Sequence, residues 1–150
     1  MVKLSQRLGF LVLIIGSGAF IGMLTAPGEW YAALQKPIFN PPNWIFGPVW
    51  TVLYGLIAWV GWRVWQRGDS WALQSLWGLQ MILNFAWSPV FFGAQQPVLA
   101  LLVIGGLLFT LVLFIRTAWS LDRLSAVLFI PYMAWVGFAS ALNLAIVVLN

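Results

Sequence analysis

Long apolar runs, separated by short polar stretches, dominate this chain. Each run is close to the ~20 residues that a helix needs to cross a hydrocarbon core of ~30 Å, and none alternates in polarity as a membrane β-strand does. The pattern therefore predicts an all-α integral membrane protein, a single bundle of five transmembrane helices that occupies residues 1–150. The predicted spans are residues 7–26, 44–65, 72–93, 97–115 and 124–149.

Composition supports the same class. The 150 residues are 63% hydrophobic and only 7% charged, and the mean hydropathy is +0.96. A soluble domain of this size is far less apolar. A cleaved signal peptide is the competing interpretation of residues 3–18, but the apolar run continues to Ala26 and the rest of the chain is equally apolar. We therefore expect one multi-pass membrane domain.

The basic residues predict an orientation. The formal net charge is +4, yet the basic residues are spread along the chain and form no patch of the kind that binds nucleic acid. In the five-span arrangement Lys36 lies on one side and all the others lie on the opposite side. The positive-inside rule then places the N-terminus in the cytoplasm and the C-terminus outside. The residues on the cytoplasmic side are Lys3, Arg7, Arg63, Arg67, Arg116 and Arg123.

The first loop is stiffened by proline. Residues 29–36 read as a short surface helix, and the prolines at 37, 41 and 42 require an extended or turned backbone before the second span. Asn43 is placed to cap the helix that follows. Two interpretations fit this loop: a lid over the mouth of the bundle, or a membrane-entry turn whose aromatic residues anchor at the lipid headgroups.

Polar and aromatic residues form stripes inside two of the predicted spans. Gln80, Asn84 and Trp87 recur at helical spacing on one face of the third span. An amide in the middle of a bilayer must find a neighbouring helix, a water molecule or a ligand, and all three remain open for Asn84. In the fifth span Trp135 lies too deep for the headgroup region, and the small Ala139 one turn later would leave space beside it.

Several kinds of chemistry are disfavoured. The chain has no His and no Cys, and its three carboxylates, Glu29, Asp69 and Asp122, are far apart and in predicted loops. We therefore expect no metal site and no acid–base dyad of a hydrolase. No span carries a charge near its middle, as proton relays and ion pumps do, so active transport is disfavoured as well.

The order of short motifs resembles one known family. The motifs are Trp30-Tyr31, Lys36-Pro37, Asn40-Pro41-Pro42, Trp44, Gly47-Pro48-Val49-Trp50-Thr51, Asn84 with Trp87-Ser88-Pro89, and Pro131-Tyr132 with Trp135. Together they are similar to the TspO/MBR family, the tryptophan-rich sensory proteins, which are also called translocator proteins or peripheral benzodiazepine receptors. The resemblance covers almost the whole chain. It implies a five-helix bundle, usually a homodimer, with a hydrophobic ligand pocket closed by the first loop.

The resemblance also implies which residues bind the ligand. Two belong to the lid, three to the second helix, two to the third and three to the fifth. They are Tyr31, Pro41, Phe46, Trp50, Tyr54, Asn84, Trp87, Trp135, Ala139 and Leu142. The C-terminal residues 144–150 lack the Tyr and the basic residue of the sterol-recognition pattern in animal members, so the resemblance does not extend sterol binding to that segment.

Two functional classes follow from the resemblance. The first is a receptor- or sensor-like protein that binds tetrapyrroles in a pocket under the first loop and regulates tetrapyrrole level, transport or a stress response. Protoporphyrin IX is expected before haem, and isoquinoline carboxamides, benzodiazepines and sterols are further candidate ligands. The alternative is an enzyme that degrades protoporphyrin in light through Trp50 and Trp135, and passive translocation of the ligand is a third possibility. No cofactor is required, and the expected partners are the porphyrin, the lipid bilayer and a second copy of the chain. Without His or Cys to ligate iron, a free-base porphyrin suits the chain better than haem.

Overall fold

The computed structural model describes residues 4–150, and within that range every regular element is helical. A 3₁₀ turn, Asn43–Ile45, leads into the third helix, and a π-helical turn, Pro89–Gly93, follows the fourth. The helices are α1 (Leu4–Leu24), α2 (Glu29–Ala33), α3 (Phe46–Arg67), α4 (Trp71–Ser88), α5 (Pro97–Leu121) and α6 (Arg123–Leu149).

Four of the helices, α1, α3, α5 and α6, are long and apolar enough to cross a membrane, where α3 is counted with its 3₁₀ turn. The predicted all-α membrane class is thereby confirmed. Helix α4 has 18 residues, and the amides of Gln74, Gln80 and Asn84 interrupt its apolar sequence. Five membrane crossings therefore stay a prediction.

The core lies between α3, α4, α5 and α6. Helices α5 and α6 pack along each other, α4 packs on α5, and α3 packs on α6. Phe114 of α5 and Phe129 of α6 are fully buried, with ring centroids 4.4 Å apart. Helix α1 packs mainly on α3 and is the most exposed of the long helices, since only Ile14 and Gly18 are buried on it. Large apolar side chains cover the outer faces of the helices, as expected where lipid is the solvent.

Three local predictions differ from the structure. The loop predicted at residues 116–123 is helical up to Leu121, and Asp122 alone separates α5 from α6, because no Gly or Pro interrupts that segment. The surface helix predicted over residues 29–36 ends at Ala33. The predicted cap at Asn43 is wrong, since no side-chain cap is present at the 3₁₀ turn or at α3.

A partly buried ion pair joins the turn between α5 and α6 to α3. Arg63 donates from Nε and Nη2 to the two carboxylate oxygens of Asp122, at 3.2 and 2.8 Å, and the Ser125 hydroxyl donates to the same carboxylate at 2.6 Å. Burial acts to raise the pKa of Asp122, but the hydrogen bonds from Arg63 and Ser125 hold it below its ordinary value. The charged form of Asp122 therefore stabilises the fold.

The basic residues gather at this same end of the bundle. The guanidinium of Arg7 lies 4.1 Å from the ring centroid of Trp62, close to Arg63, and Arg67 pairs with Asp69 in the next turn of chain. Lys36 lies in the first loop, at the opposite end of α3. Lys3 is outside the described residues. The side of a membrane that each end faces stays a prediction.

We expect Asp122→Asn to lower the free energy of unfolding by about 1.5–3 kcal/mol at neutral pH, because a neutral amide replaces the charged acceptor of Arg63 and Ser125. The native pKa is depressed, so the carboxylate contributes stability above its unfolded pKa of about 3.9 and loses it as the pH falls through the native pKa. The difference between the two proteins should therefore shrink below about pH 4.

Thermal unfolding in detergent across this pH range measures the effect. The control is Asp69→Asn, because Asp69 forms an exposed pair with Arg67 at 3.0 Å and should contribute nothing measurable. Equal loss in the two variants would contradict a structural role for the partly buried pair.

Candidate ligand-binding site

A cavity of about 690 Å³ opens in the half of the bundle nearest the first loop. Its lining comes from α1, α3, α4, α5 and α6, from the π-helical turn and from the first loop. None of the lining side chains is charged, and most are aromatic or aliphatic. The volume is typical of sites for small organic ligands, which are mostly apolar with a few polar groups that orient the ligand.

Most of the predicted site residues meet at this cavity. They come from the first loop, α3, α4 and α6, so the structure brings together residues that are more than 100 positions apart in sequence. Their role in ligand binding stays a prediction. The predicted residues that line the cavity are Tyr31, Phe46, Trp50, Tyr54, Asn84, Trp87, Ala139 and Leu142.

Two predicted residues, Pro41 and Trp135, do not line the cavity. The Trp135 ring packs edge-on against Phe46, with centroids 5.8 Å apart, and against Phe138 at 5.5 Å. Trp135 therefore stands behind a lining residue. Pro41 is half-buried in the segment before the 3₁₀ turn. Helical spacing places Trp135 and Ala139 on the same face of the predicted span. It does not predict that the Trp135 ring packs against Phe46 of α3.

An aromatic cluster forms one wall. The rings of Trp87 and Phe91 stack at 5.2 Å, and Tyr31 of α2 meets Phe92 edge-on, also at 5.2 Å. Phe91 and Phe92 both lie in the π-helical turn, whose wider backbone lets two successive rings face the cluster. Phe92 was not among the predicted site residues, and Pro89 at the end of the predicted helical face was the available signal for an irregular turn.

A chain of hydrogen bonds crosses the bundle beside the cavity. The Tyr54 hydroxyl donates to Asn84 Oδ1 at 2.8 Å, and Asn84 Nδ2 donates to the Tyr132 hydroxyl at 2.6 Å. Tyr132 in turn donates to Gln80 Oε1 at 2.9 Å. Asn84 thus bonds both neighbouring helices, α3 and α6, while it also lines the cavity. The interpretation of Asn84 as a link between helices is confirmed.

Further polar groups in the wall are also paired. The Trp87 indole donates to Asn143 Oδ1 at 3.1 Å, and Asn143 Nδ2 donates to the carbonyl of Pro97 at 2.8 Å. The hydroxyls of Thr25 and Ser88 share a hydrogen bond at 2.6 Å. Ser88 belongs to one of the sequence motifs, and Asn143 follows Ala139 by one helical turn in the predicted fifth span. Nothing in the sequence pointed to Thr25 except its position at the end of an apolar run.

The lining residues limit what the site can do chemically. Their polar groups are amides, hydroxyls and indoles, none of which is ionised near neutral pH. Among residues 4–150 no group of His, Cys, Asp or Glu is arranged to hold a metal ion. The cavity can therefore bind a ligand by shape, by stacking and by neutral hydrogen bonds, and it offers no acid–base pair.

Comparison with known proteins agrees with the motif order. Residues 10–149 match the model of the TspO/MBR family. The chain is 42% identical over 142 residues to the tryptophan-rich protein TspO of Archaeoglobus fulgidus, which covers 93% of this chain and 92% of the relative. It is 38% identical to the tryptophan-rich sensory protein of Cereibacter sphaeroides, over 90% of this chain and 85% of the relative. It is 39% identical to the translocator protein of Homo sapiens, over 84% of this chain and 79% of the relative.

The chain belongs to the TspO/MBR family. The resemblance read from the motifs is thereby confirmed. The match from residue 10 to residue 149 includes every residue that lines the cavity, from Ile15 to Ile146. The cavity therefore lies wholly within the TspO/MBR part of the chain.

We expect Gly18→Ala to disturb this TspO/MBR cavity, because a Cβ at Gly18 would lie 2.5 Å from the Tyr54 ring. The Tyr54 ring would have to shift, which would strain its hydrogen bond to Asn84. The expected cost is about 1–3 kcal/mol of unfolding free energy. Gly22→Ala is the matched control, since a Cβ there meets nothing within 4 Å. Thermal unfolding of both variants in detergent measures the difference, and equal stability would show that Tyr54 can move at no cost.

Proposed function

We propose that this protein is a receptor- or sensor-like membrane protein that binds tetrapyrroles in the cavity, protoporphyrin IX first and haem second. The observation that carries the proposal is the uncharged, aromatic-walled cavity of about 690 Å³. The names of its relatives, tryptophan-rich sensory protein and translocator protein, support a sensing or receptor role over a catalytic one.

The wall chemistry supports a flat, largely apolar ligand. Trp50 and Trp87 present aromatic faces on which a macrocycle can stack, and Asn84 and Thr25 supply neutral polar groups for its edge. Since the chain has no His and no Cys, tight axial ligation of iron is unavailable, and a free-base porphyrin fits better than haem. Isoquinoline carboxamides, benzodiazepines and sterols are further hydrophobic candidates for the same space.

We also propose that α4 is a fifth membrane crossing and that the protein forms a homodimer. The buried amides of α4 support the crossing, because Gln80 and Asn84 are hydrogen-bonded inside the bundle and do not face lipid. Polar residues that point into a bundle are compatible with a transmembrane helix. The dimer follows from the family resemblance alone.

Light-dependent degradation of the bound porphyrin is the second candidate function. The observation that favours it is the position of Trp50, whose indole lines the cavity, while Trp135 stands behind Phe46. In such a reaction the indole would give an electron to the light-excited macrocycle, dioxygen would oxidise the macrocycle and supply its new oxygen atoms, and the oxidised macrocycle would return an electron to the indole radical. Trp50 would then act directly and Trp135 through Phe46.

We expect Ala139→Leu to raise the dissociation constant for protoporphyrin by about ten-fold or more, because the larger side chain fills space that the ligand needs. Ala134→Leu is the matched control, since Ala134 lies on the exposed face of the same helix. Titration of both variants with protoporphyrin in the dark, followed by its absorbance, gives the two constants. Equal affinity in well-folded variants would show that this face of α6 does not contact the ligand.

The two candidate functions differ in the effect of Trp→Phe substitution under light. If the tryptophans only stack, Trp50→Phe should weaken dark binding by about five-fold, Trp135→Phe by less, and light should change nothing. The indole of Trp135 has no hydrogen-bond partner among the described residues, so its replacement loses no internal bond. Trp59→Phe, at an exposed position on α3, is the control.

Illumination of protoporphyrin with the wild type and with the Trp50→Phe, Trp135→Phe double variant decides between them. The reaction is followed by loss of the Soret absorbance at equal occupancy of the two proteins. We expect the same slow bleaching in both. Rapid bleaching to a defined product in the wild type alone would establish the enzyme and contradict a purely binding role.

A further inference from the structure

The hydrogen-bond chain beside the cavity ends at Gln80, whose side-chain N–H group is unpaired among the described residues. Tyr54 and Asn84 line the cavity, whereas Tyr132 and Gln80 lie behind them and do not. Gln80 is fully buried, and its Nε2 has no hydrogen-bond partner among residues 4–150. Unpaired N–H groups are rare in protein interiors, so this inner end of the chain requires an explanation.

The chain of hydrogen bonds can run in two directions. In the structure the Tyr54 hydroxyl donates to Asn84, and Asn84 donates to Tyr132. The Tyr132 hydroxyl then donates to Gln80. When an amide plane turns over, its oxygen and nitrogen exchange positions with little movement of other atoms. Turning over the amides of Asn84 and Gln80 therefore reverses all three hydrogen bonds without moving a helix.

The two directions offer a ligand opposite groups at the cavity wall. In the direction seen in the structure, the proton of Tyr54 is engaged by Asn84, so the Tyr54 oxygen can only accept. In the reverse direction, Tyr54 accepts from Asn84 and its proton is free to point into the cavity. Reversal also leaves the side-chain oxygen of Gln80 unpaired in place of its nitrogen. Buried acceptors without a hydrogen bond are somewhat more common in proteins than buried donors without one. The ligand can therefore decide which direction is the more stable.

We propose that Gln80 and Tyr132 are specificity-determining residues, because they let the hydrogen-bond chain reverse. In one direction Tyr54 accepts a hydrogen bond from a ligand that has a donor group. In the other direction Tyr54 donates to a ligand that has an acceptor group. Neither residue lines the cavity, so both act as positioning residues through Asn84. The ligand class is an uncharged, flat, apolar molecule with one polar group at its edge. The inference rests on the proposed function only in that the cavity binds such molecules.

Two rigid probes of similar size and shape test the proposal. Carbazole offers a single N–H donor, and 9-fluorenone offers a single carbonyl acceptor. The variant is Gln80→Met, which keeps the length of the side chain and removes the acceptor of the Tyr132 proton. Tyr132 must then donate to Asn84, which fixes the reverse direction and leaves Tyr54 as a donor. We expect the ratio of the two dissociation constants to shift by about five-fold in favour of 9-fluorenone.

The control removes the group that faces the ligand. In a Tyr54→Phe background, Gln80→Met should leave the ratio of the two dissociation constants unchanged, because the hydroxyl of residue 54 that would switch between donor and acceptor is gone. Calorimetric titration of the full-length protein in detergent measures all four proteins. An equal change for both probes, or a shift in the ratio that persists without Tyr54, would overturn the proposal.

The same titrations separate this inference from the proposed function. If the wild type binds both probes but not protoporphyrin, the proposed tetrapyrrole function is wrong. The ratio of the dissociation constants for the two probes still tests the inference. If the wild type binds neither probe, the inference fails, whatever the result with protoporphyrin.

Infrared spectroscopy of the wild type provides a second test should Gln80→Met not fold. The C–O stretching frequency of a tyrosine differs between a phenol that donates and one that accepts, and the chain has only three tyrosines. Difference spectra against Tyr54→Phe assign the band of Tyr54. Without a probe, Tyr54 donates to Asn84. With 9-fluorenone bound, Tyr54 should donate to the probe and accept from Asn84, so its C–O band should shift. Carbazole should leave the band unshifted. Identical spectra with the two probes would overturn the proposal.

Discussion

Most polar groups inside this bundle depend on one another for hydrogen bonds, because lipid supplies none. Each unpaired amide or hydroxyl in an apolar interior costs on the order of several kcal/mol, more than most single packing contacts contribute. The three helices α3, α4 and α6 meet this requirement jointly through the hydrogen bonds of Asn84 and Tyr132. Their relative rotation about their axes is therefore restricted, and the shape of the cavity that they enclose depends on it.

The same constraint explains the chemistry of the cavity. A charged group in its wall would need a buried counter-ion, which is costly in a small bundle, so the lining is limited to neutral polar groups and aromatic rings. Such a wall recognises a ligand by shape and stacking and adds a few hydrogen bonds for orientation. A site of this kind suits the hydrophobic ligands that we propose for it.

Charge is instead concentrated at the end of the bundle away from the cavity. There the Arg63–Asp122 pair joins α3 to the turn between α5 and α6, with Ser125 completing the carboxylate's hydrogen bonds. This end is therefore stabilised by an ion pair and close packing, while the end beside the first loop keeps an open space.

The sequence by itself determined the membrane class and the long helices, and most of the site residues predicted from it line the cavity. Apolar runs of near-constant length leave few alternatives to helices, and a polar residue within such a run, Asn84 for example, has to face inward. The tertiary structure decided how side chains on different helices meet. It placed Trp135 behind Phe46, outside the cavity, and it joined Gln80 to Tyr132 over 52 positions of chain. Helical spacing reports the face on which a residue lies but not which neighbouring helix its side chain contacts, because that depends on how the helices pack against one another.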